Sequence, residues 1–461
     1  MSGDLTLTLP DGARIVVPDD LRISSSYVLQ EQQDWFEDEI RFLRAALQPG
    51  LRAIDAGANF GVYTLSLAQR AGTGGRVWAI EPGEQAANYL ERSVAANGYP
   101  HVDVVRCALS AADGSGFLQT GITPELRRLV RDDSSAAVPV RSLDSLATER
   151  GIDRVDFVKI DVEGEECNVL EGAAEFLAGE SPLLMIEFWG DRKFNEEIFA
   201  PLLRHGYATF RLVPGINVLA PFYESEEPDA YQLNLFACKP ERSALLGEAG
   251  YLVRAADDKK PLFTIEPPLD KLFSLPFAQS LAPQWRGTAG KKPRDGGRDT
   301  YLDALRLFLA ALEKANSAIA RHWALARAYS TLRALVAADF TVARGATFVR
   351  VASAYGQRAE AIAMSQRLVA AIPTLADAPL EEPFLPPCRY QESLAIGADL
   401  RAWLLASAVE SYEHLFQFSS SDKPRLAQEA LNVRVDARFL SPAYARREAL
   451  FKRRGLALAP Q

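Results

Sequence analysis

A doubly wound α/β sheet followed by an all-helical region is the architecture this sequence predicts, and three observations predict it. Short apolar runs alternate with helical stretches from Leu51 to about Pro240, and beyond Tyr301 the pattern is helical to the end. Alternation of that kind builds parallel strands with helices on both faces. The length of 461 residues exceeds what one hydrophobic core organises, so the two patterns belong to separate domains.

Composition agrees. Hydrophobic residues make up 48% of the chain and charged ones 24%, which leaves apolar surface for two cores. The formal charge of −9 gives no basic footprint of the kind nucleic-acid binding requires, and small or neutral partners are favoured. Cys107, Cys167, Cys238 and Cys388 lie far apart, with neither metal-type pairing nor a dense disulfide pattern, so a reducing compartment is the simplest reading. The start MSGDLTLTLPDGARIVVPDD lacks a basic stretch followed by an apolar core, and no apolar run is long enough to span a bilayer. A cytoplasmic protein without a membrane span is the expectation.

Taken in order, residues 5–17 alternate around the turn Pro10-Asp11-Gly12 and predict a hairpin that serves as an N-terminal flap. Trp35, Phe36, Ile40, Leu43 and Leu47 recur at helical spacing, and Pro49-Gly50 ends that helix. The sheet domain follows as RAIDAG, VYTLSLAQR, RVWAIEP, EQAANYLERSVAAN, VDVVRCAL, SLDSLATERG, VDFVKIDV, NVLEGAAEFL and PLLMIEFW. After a helix over 195–204, the runs 207–213 and 231–238 read as a closing antiparallel pair, which completes a domain over 1–240.

Residues 241–300 read as a connecting segment. Lys259-Lys260-Pro261, Pro267-Pro268 and GTAGKKPRDGGRD mix turn formers with charge, and 286–298 reads as a flexible linker. Its Arg286, Lys291, Lys292, Arg294 and Arg298 are better read as a solvated loop than as a grip on an anion. The helical domain occupies 301–461. Within it Ala354, Tyr355, Gly356, Ala361 and Pro373 sit as in one tetratricopeptide-type helix pair. A concave surface for a protein partner or acceptor, and a plain helical cap or homodimer surface, are equally compatible with one such pair.

The first candidate site is the loop in LRAIDAGANFGVYTLSLA, a strand, a turn and then a helix. Gly57 and Gly61 tolerate positive φ and leave no Cβ in the way of a ligand, with Ala58 and Phe60 between them. Asp55 ends the strand and accepts from a ligand ammonium, while Asn59 offers its amide to a carboxylate. Glu81, followed by Pro82, ends the next strand, where a carboxylate accepts both ribose hydroxyls. The bland alternative makes Asp55 a helix cap and Glu81 an exposed strand end. The spacing Gly57-x-x-x-Gly61 lacks the middle glycine of the G-x-G-x-x-G turn that admits a pyrophosphate, which disfavours a nicotinamide dinucleotide. S-adenosylmethionine has no phosphate and needs partners for an amino-acid head, a ribose diol and an adenine. The adenine edge belongs near Cys107 and Ala108, at the end of the third strand.

A second constellation, VDFVKIDVEGEECNVLEG, gathers Lys159, Asp161 and Glu163 around the end of the fourth strand. Lys159 and Asp161 share a side by the strand's period of two, so an ion pair bracing the strand is the structural reading. Glu163, Glu165 and Glu166 could equally face a helix dipole. The functional reading has Asp161 or Glu163 bind or deprotonate an acceptor hydroxyl, with Glu187 of PLLMIEFW alongside. A magnesium ion shared by Asp161 and Glu187 ranks below a direct carboxylate, because two ligands make a weak octahedral site. His101, His205, His322 and His414 form no motif, and His205 falls near a helix C-terminus. Phe188, Trp189 and Tyr223 are candidates for an acceptor pocket, with burial as core the commoner fate.

Together IDAGANFGVYTLSLA, WAIEP, RSLDSLA, VDFVKIDVEGEECNVLEGA and LMIEFW resemble the FkbM family of methyltransferases, from about Trp35 to Pro240, with 119–137 as a loop insertion. The resemblance implies a class I methyltransferase fold with a Rossmann-like, mostly parallel seven-stranded sheet, S-adenosylmethionine as donor, and methyl transfer to a hydroxyl of a sugar, glycan or secondary metabolite. It carries cofactor contact onto Asp55, Gly57, Asn59, Gly61 and Glu81, and the family's second signature onto Lys159, Asp161, Glu163 and Gly164. It names neither base nor acceptor, and it leaves the C-terminal helices unexplained. Two other readings stand beside it: a scaffold in a biosynthetic assembly that has lost catalysis, and a nicotinamide-dependent oxidoreductase.

Overall fold

The computed structural model describes residues 3–119, 129–130, 136–188, 192–254, 260–266, 268–289, 296–375, 380–416 and 427–454. It opens with the expected hairpin, β1 (Asp4–Thr8) and β2 (Arg14–Pro18), paired antiparallel. The hairpin is a structural piece and no flap: Ile15 and Val17 are fully buried in a core shared with the sheet. Helices α1 (Ser24–Gln32) and α2 (Asp38–Ala46) follow. Trp35 and Phe36, expected on the second of these, lie in the bend before it. Gln33 sits there at φ 60, which the helical continuation does not allow.

Alternation now runs β3 (Arg52–Ala56), α3 (Val62–Ala71), β4 (Arg76–Ile80), α4 (Glu84–Asn97) and β5 (Val102–Val105). A small excursion comprises β6 (Ala108–Leu109), β7 (Gly114–Leu118), β8 (Leu129–Val130) and β9 (Ala136–Arg141). Then come α5 (Leu143–Arg150), β10 (Phe157–Ile160), α6 (Glu166–Glu171), α7 (Ala174–Gly179), β11 (Leu183–Glu187) and α8 (Arg192–Arg204). The run closes with β12 (Ala208–Val213), β13 (Val218–Pro221), β14 (Asn234–Cys238) and α9 (Pro240–Glu248).

The main sheet has the order β13-β12-β14-β11-β10-β3-β4-β5. Strand β14 runs antiparallel to both β11 and β12, as the closing pair predicts. The expected seven strands are all present, and β13 adds an eighth at the edge beside β12. Period two sends the side chains of the central strands to two cores. Ala53, Val77, Phe157 and Met185 pack with α2, α3 and the hairpin, while Ile54, Trp78, Val158 and Ile186 pack with α5, α6, α7 and α8. The excursion forms its own sheet, β6-β9-β7-β8, so the segment expected as a loop insertion carries strands at its described ends. Residues 120–128 and 131–135 lie outside the described residues.

The chain divides into two compact units, one of 1–212, 219–228 and 232–254, the other of 213–218, 229–231 and 255–461. The second is helical: α10 (Asp270–Phe273), α11 (Ala282–Ala289), α12 (Gly296–Leu312), α13 (Ala318–Ala338), α14 (Val342–Tyr355), α15 (Arg358–Ala371), α16 (Leu400–Phe416), α17 (Ala427–Ala430) and α18 (Pro442–Arg453). Helices α12 to α16 pack in succession. Ser317 and Thr341 cap α13 and α14 by accepting from backbone N–H groups. The pair α14 and α15 is the one expected from sequence, with Gly356 at φ 92 closing its first helix.

The division differs from a linker over 241–300. Residues 240–254 belong to the first unit, and Leu272, Phe273, Phe277 and Trp285 are buried in the second, where Phe277 stacks on Trp403 at 5.6 Å. Four large apolar side chains outweigh the local turn formers and charge. Arg286 is ion-paired with Asp270, and Lys291, Lys292 and Arg294 lie outside the described residues. Among the described residues no helix is long and apolar enough to cross a membrane.

Candidate active site

Parallel register brings Asp55 of β3 beside Lys159 of β10 at the carboxyl edge of the sheet. By the strand period both occupy positions that Ala53 and Phe157 fill with apolar side chains two residues earlier. Asp55 is fully buried: its Oδ2 accepts from Thr64 Oγ1 at 2.6 Å, and Oδ1, with Lys159 Nζ 3.9 Å away, has no hydrogen-bond partner. Lys159 Nζ donates to Asp161 Oδ2 at 2.7 Å and lies 5.0 Å from the centre of the Tyr63 ring. Burial raises the Asp55 pKa against the pull of Lys159 and Thr64. At Lys159 burial presses the other way, but Asp161 and then Asp55 outweigh it and hold the ammonium well above its usual value. The bracing ion pair read from the sequence is therefore present, with a second carboxylate behind it.

The loop after β3 is held by backbone. Gly57 and Ala58 N–H both donate to Ile80 O at 3.0 Å, so neither is left for a ligand. Gly57 has φ 78, and a Cβ there would overlap the carbonyl of Asp161. Gly61, at φ 92, would strike Leu90. The glycines thus also serve close packing of protein on protein. Asn59 adopts φ 49, and its side-chain Oδ1 is buried without a partner. Glu81 is no loose strand end: Asn59 N–H donates to Oε2 at 2.8 Å and Gly83 N–H to Oε1 at 2.7 Å, which orients the carboxylate.

The second constellation turns on Glu166. Its buried carboxylate accepts from Val162 N–H at 3.0 Å and from Gly164 N–H at 3.1 Å, holding a turn in which Glu163 takes φ 57 and Gly164 φ 103. Burial raises the Glu166 pKa against those amides. Glu165 accepts from Ser110 Oγ at 2.7 Å and Asn168 Nδ2 at 2.8 Å. Asp161, Glu163 and Glu187 each bring an oxygen within 4.8 Å of the others, so the third carboxylate missing from the sequence-based cation site is Glu163. The Lys159 ammonium already lies against this group at Asp161.

One cavity that opens to solvent collects these features. Asp55, Gly57, Ala58, Asn59, Phe60, Glu81, Pro82, Cys107, Ala108, Lys159, Asp161 and Glu163 all line it. Gly61 lies outside the lining, and Glu187 reaches the group through its carboxylate. Burial pushes the Cys107 thiol up to about 11, which leaves it neutral and unsuited to nucleophilic attack at neutral pH. Other expectations fall away from the cavity. Phe188 is buried against Phe199 and Phe222, Tyr223 is exposed, and Trp189 lies outside the described residues. His205 follows the end of α8, as expected, with its backbone N–H donating to Pro201 and Leu202.

Ser25, Trp35, Tyr63, Leu118 and Leu129 also line the cavity and were not singled out from sequence. Tyr63 had a signal, since it lies in the first turn of the helix that the glycine loop opens. Trp35 and Leu129 had none, because they arrive from a bend and a small sheet distant in sequence from either motif.

The strand order and its single antiparallel interior strand define a class I methyltransferase fold, with a helical C-terminal region appended. A family model described as the methyltransferase FkbM domain matches residues 55–208. Among solved structures the chain is similar to the methyltransferase FkbM from Methylobacillus flagellatus KT, at 19% identity and TM-score 0.30, over 48% of this chain and 56% of that one. It is also similar to a SAM-dependent O-methyltransferase from Thermotoga maritima (17% identity, TM-score 0.27, 51% and 77% covered). A third similarity is to Aeropyrum pernix fibrillarin in complex with S-adenosyl-L-methionine (12% identity, TM-score 0.29, 52% and 100% covered). The chain spans little more than half the length of the first of these. No curated protein matches the sequence.

Proposed function

We propose that this chain is an S-adenosylmethionine-dependent methyltransferase that O-methylates a hydroxyl of a sugar, glycan or secondary metabolite. The observation that carries this reading is the meeting of the glycine loop, Glu81 and the KIDVEGEE signature around one cavity. The cavity's donor side fits the cofactor chemically. Asp55 Oδ1 and Asn59 Oδ1 are buried acceptors without a hydrogen-bond partner, suited to an ammonium, and Glu81 is oriented by two backbone amides at the end of β4, where a carboxylate accepts from a ribose diol. Pro82, Cys107 and Ala108 then flank the adenine. When bound, S-adenosylmethionine supplies a methyl carbon made electrophilic by its sulfonium sulfur.

The protein's own part is positioning and proton handling. Lys159 fixes Asp161 through its 2.7 Å hydrogen bond. Asp161, Glu163 and Glu187 form the carboxylate group that orients an acceptor hydroxyl and takes its proton as the oxygen bonds to the methyl carbon. The donor's sulfonium sulfur would keep the C–S electron pair. The lining also carries Leu118 and Leu129, apolar side chains suited to the non-polar face of a ring.

The experiment is calorimetric titration of the intact chain with S-adenosylmethionine and S-adenosylhomocysteine, followed by incubation with labelled donor and a panel of saccharides and metabolites. Binding of both, weakened by Glu81→Ala, with label transfer abolished by Asp161→Ala, is the expected result. Absence of binding by either ligand overturns the cofactor assignment, and transfer that survives in Asp161→Ala removes that carboxylate from the reaction.

A further inference from the structure

Glu37 belongs to no motif and precedes α2, yet three donors, two of them from distant parts of the first unit, converge on its carboxylate. Trp35 Nε1 donates to Oε1 at 3.0 Å; the Tyr63 hydroxyl and Asn234 Nδ2 donate to Oε2, the latter at 3.2 Å. Two of the three, Trp35 and Tyr63, line the cavity, and Tyr63 also lies under the Lys159 ammonium. The bend that carries Trp35 and Glu37 is held at its other end as well. Arg44 donates from both terminal nitrogens to the Asp34 carboxylate, at 2.8 and 2.9 Å, and from Nε to Asp11 at 2.8 Å. Such a two-ended clamp is more than a solvent-facing bend needs.

We propose that Glu37 is a positioning residue that fixes the Trp35 indole and the Tyr63 ring as the aromatic wall of the methyl-donor cavity. This inference rests on the cofactor reading above. An indole on a loop loses rotamer freedom when a ligand packs against it, and that loss weakens binding. A carboxylate that takes the indole N–H and the phenol O–H in advance removes the loss before the ligand arrives. Lys159 gains from the same arrangement, since the ring beneath it stays in place while its Nζ holds Asp161.

The test replaces the tryptophans of the full chain with 5-fluorotryptophan, assigns the Trp35 ¹⁹F resonance by its disappearance in Trp35→Phe, and pairs the spectrum with S-adenosylhomocysteine titration. Glu37→Ala is expected to shift or broaden the Trp35 resonance and to raise the Kd for S-adenosylhomocysteine about tenfold. Glu37→Gln, whose amide oxygen still accepts from the indole while its NH2 donates to the Tyr63 hydroxyl oxygen, restores the resonance and brings Kd within about threefold of the parent. A Trp35 resonance and Kd unmoved in Glu37→Ala, or a Glu37→Gln variant no better than Glu37→Ala, overturns the proposal. Should Glu37→Ala not fold, Glu37→Leu keeps the volume, accepts no hydrogen bond and takes its place in the same comparison. Failure of the parent protein to bind S-adenosylhomocysteine defeats the cofactor reading instead, and the Trp35 resonance alone then decides the role of Glu37.

Discussion

Two carboxylates at the ends of neighbouring strands illustrate how burial assigns different work to the same chemical group. Glu81 has both oxygens aligned by backbone amides, which suits the proposed contact with a diol. Its replacement by Ala removes charged hydrogen bonds worth roughly 1.5–3 kcal/mol, so the Kd for S-adenosylhomocysteine should rise roughly 10- to 100-fold in calorimetric titration. Asp55 is buried with one oxygen unpartnered, and its pKa is raised above 3.8. A carboxyl group with a raised folded-state pKa binds its proton more tightly in the folded chain. The stability this confers is full below the unfolded value of 3.8 and is lost as pH rises through the folded value. Melting temperatures of the parent and Asp55→Asn, followed upward from about pH 4, should therefore diverge, with the parent falling relative to the variant. Parallel curves would mean that Asp55 ionises without cost. At this scale the sequence was legible wherever a residue ended a strand within a motif, as Asp55, Glu81 and Asp161 do. Glu37 was not legible, since its meaning comes from Trp35, Tyr63 and Asn234, and Asn234 is joined to it only by the fold.

Among the elements, those with strict periodicity were readable and those set by long-range burial were not. Strands β3, β4, β10 and β11 alternate between two cores and announce themselves by apolar runs between helices. The eighth strand, β13, is four residues long and pairs only at the sheet's edge, too short for a period to establish. Segment 268–289 was obscured by prolines and charge around Phe273, Phe277 and Trp285. The loop after β3 joins both kinds: its glycines were visible, but their reason was not, because Gly57 is required by a carbonyl more than a hundred residues later. Gly57→Ala must place a side chain at φ 78 and displace that carbonyl. The expected cost is about 2–4 kcal/mol, read as a lower denaturation midpoint together with loss of S-adenosylhomocysteine binding. A variant that keeps both would show that the loop relaxes at no cost.

The molecule as a whole consists of two units, and every residue proposed to hold the donor lies in the first. A ligand that binds only the folded form of that unit stabilises it by about 2.7 kcal/mol at a hundredfold excess over Kd. Scanning calorimetry of the full chain with S-adenosylhomocysteine should accordingly resolve two transitions and move just one of them. Movement of both would mean that the helical unit unfolds together with the sheet. The split into a sheet domain and a helical region was legible from the change of pattern near Tyr301. Its boundary was not, because loop residues 213–218 and 229–231, early in the chain, group with the helices.

The missing Cβ at Gly57 has one more implication. Where the loop after β3 lies against the carbonyl of Asp161, main chain meets main chain, with no room for a side chain at Gly57. Engineering the protein toward a new acceptor is therefore best confined to other side chains of the lining, such as Leu118 and Leu129. Grafting either loop from another enzyme without its counterpart would change the distance between methyl donor and acceptor. The two loops form a single exchangeable part.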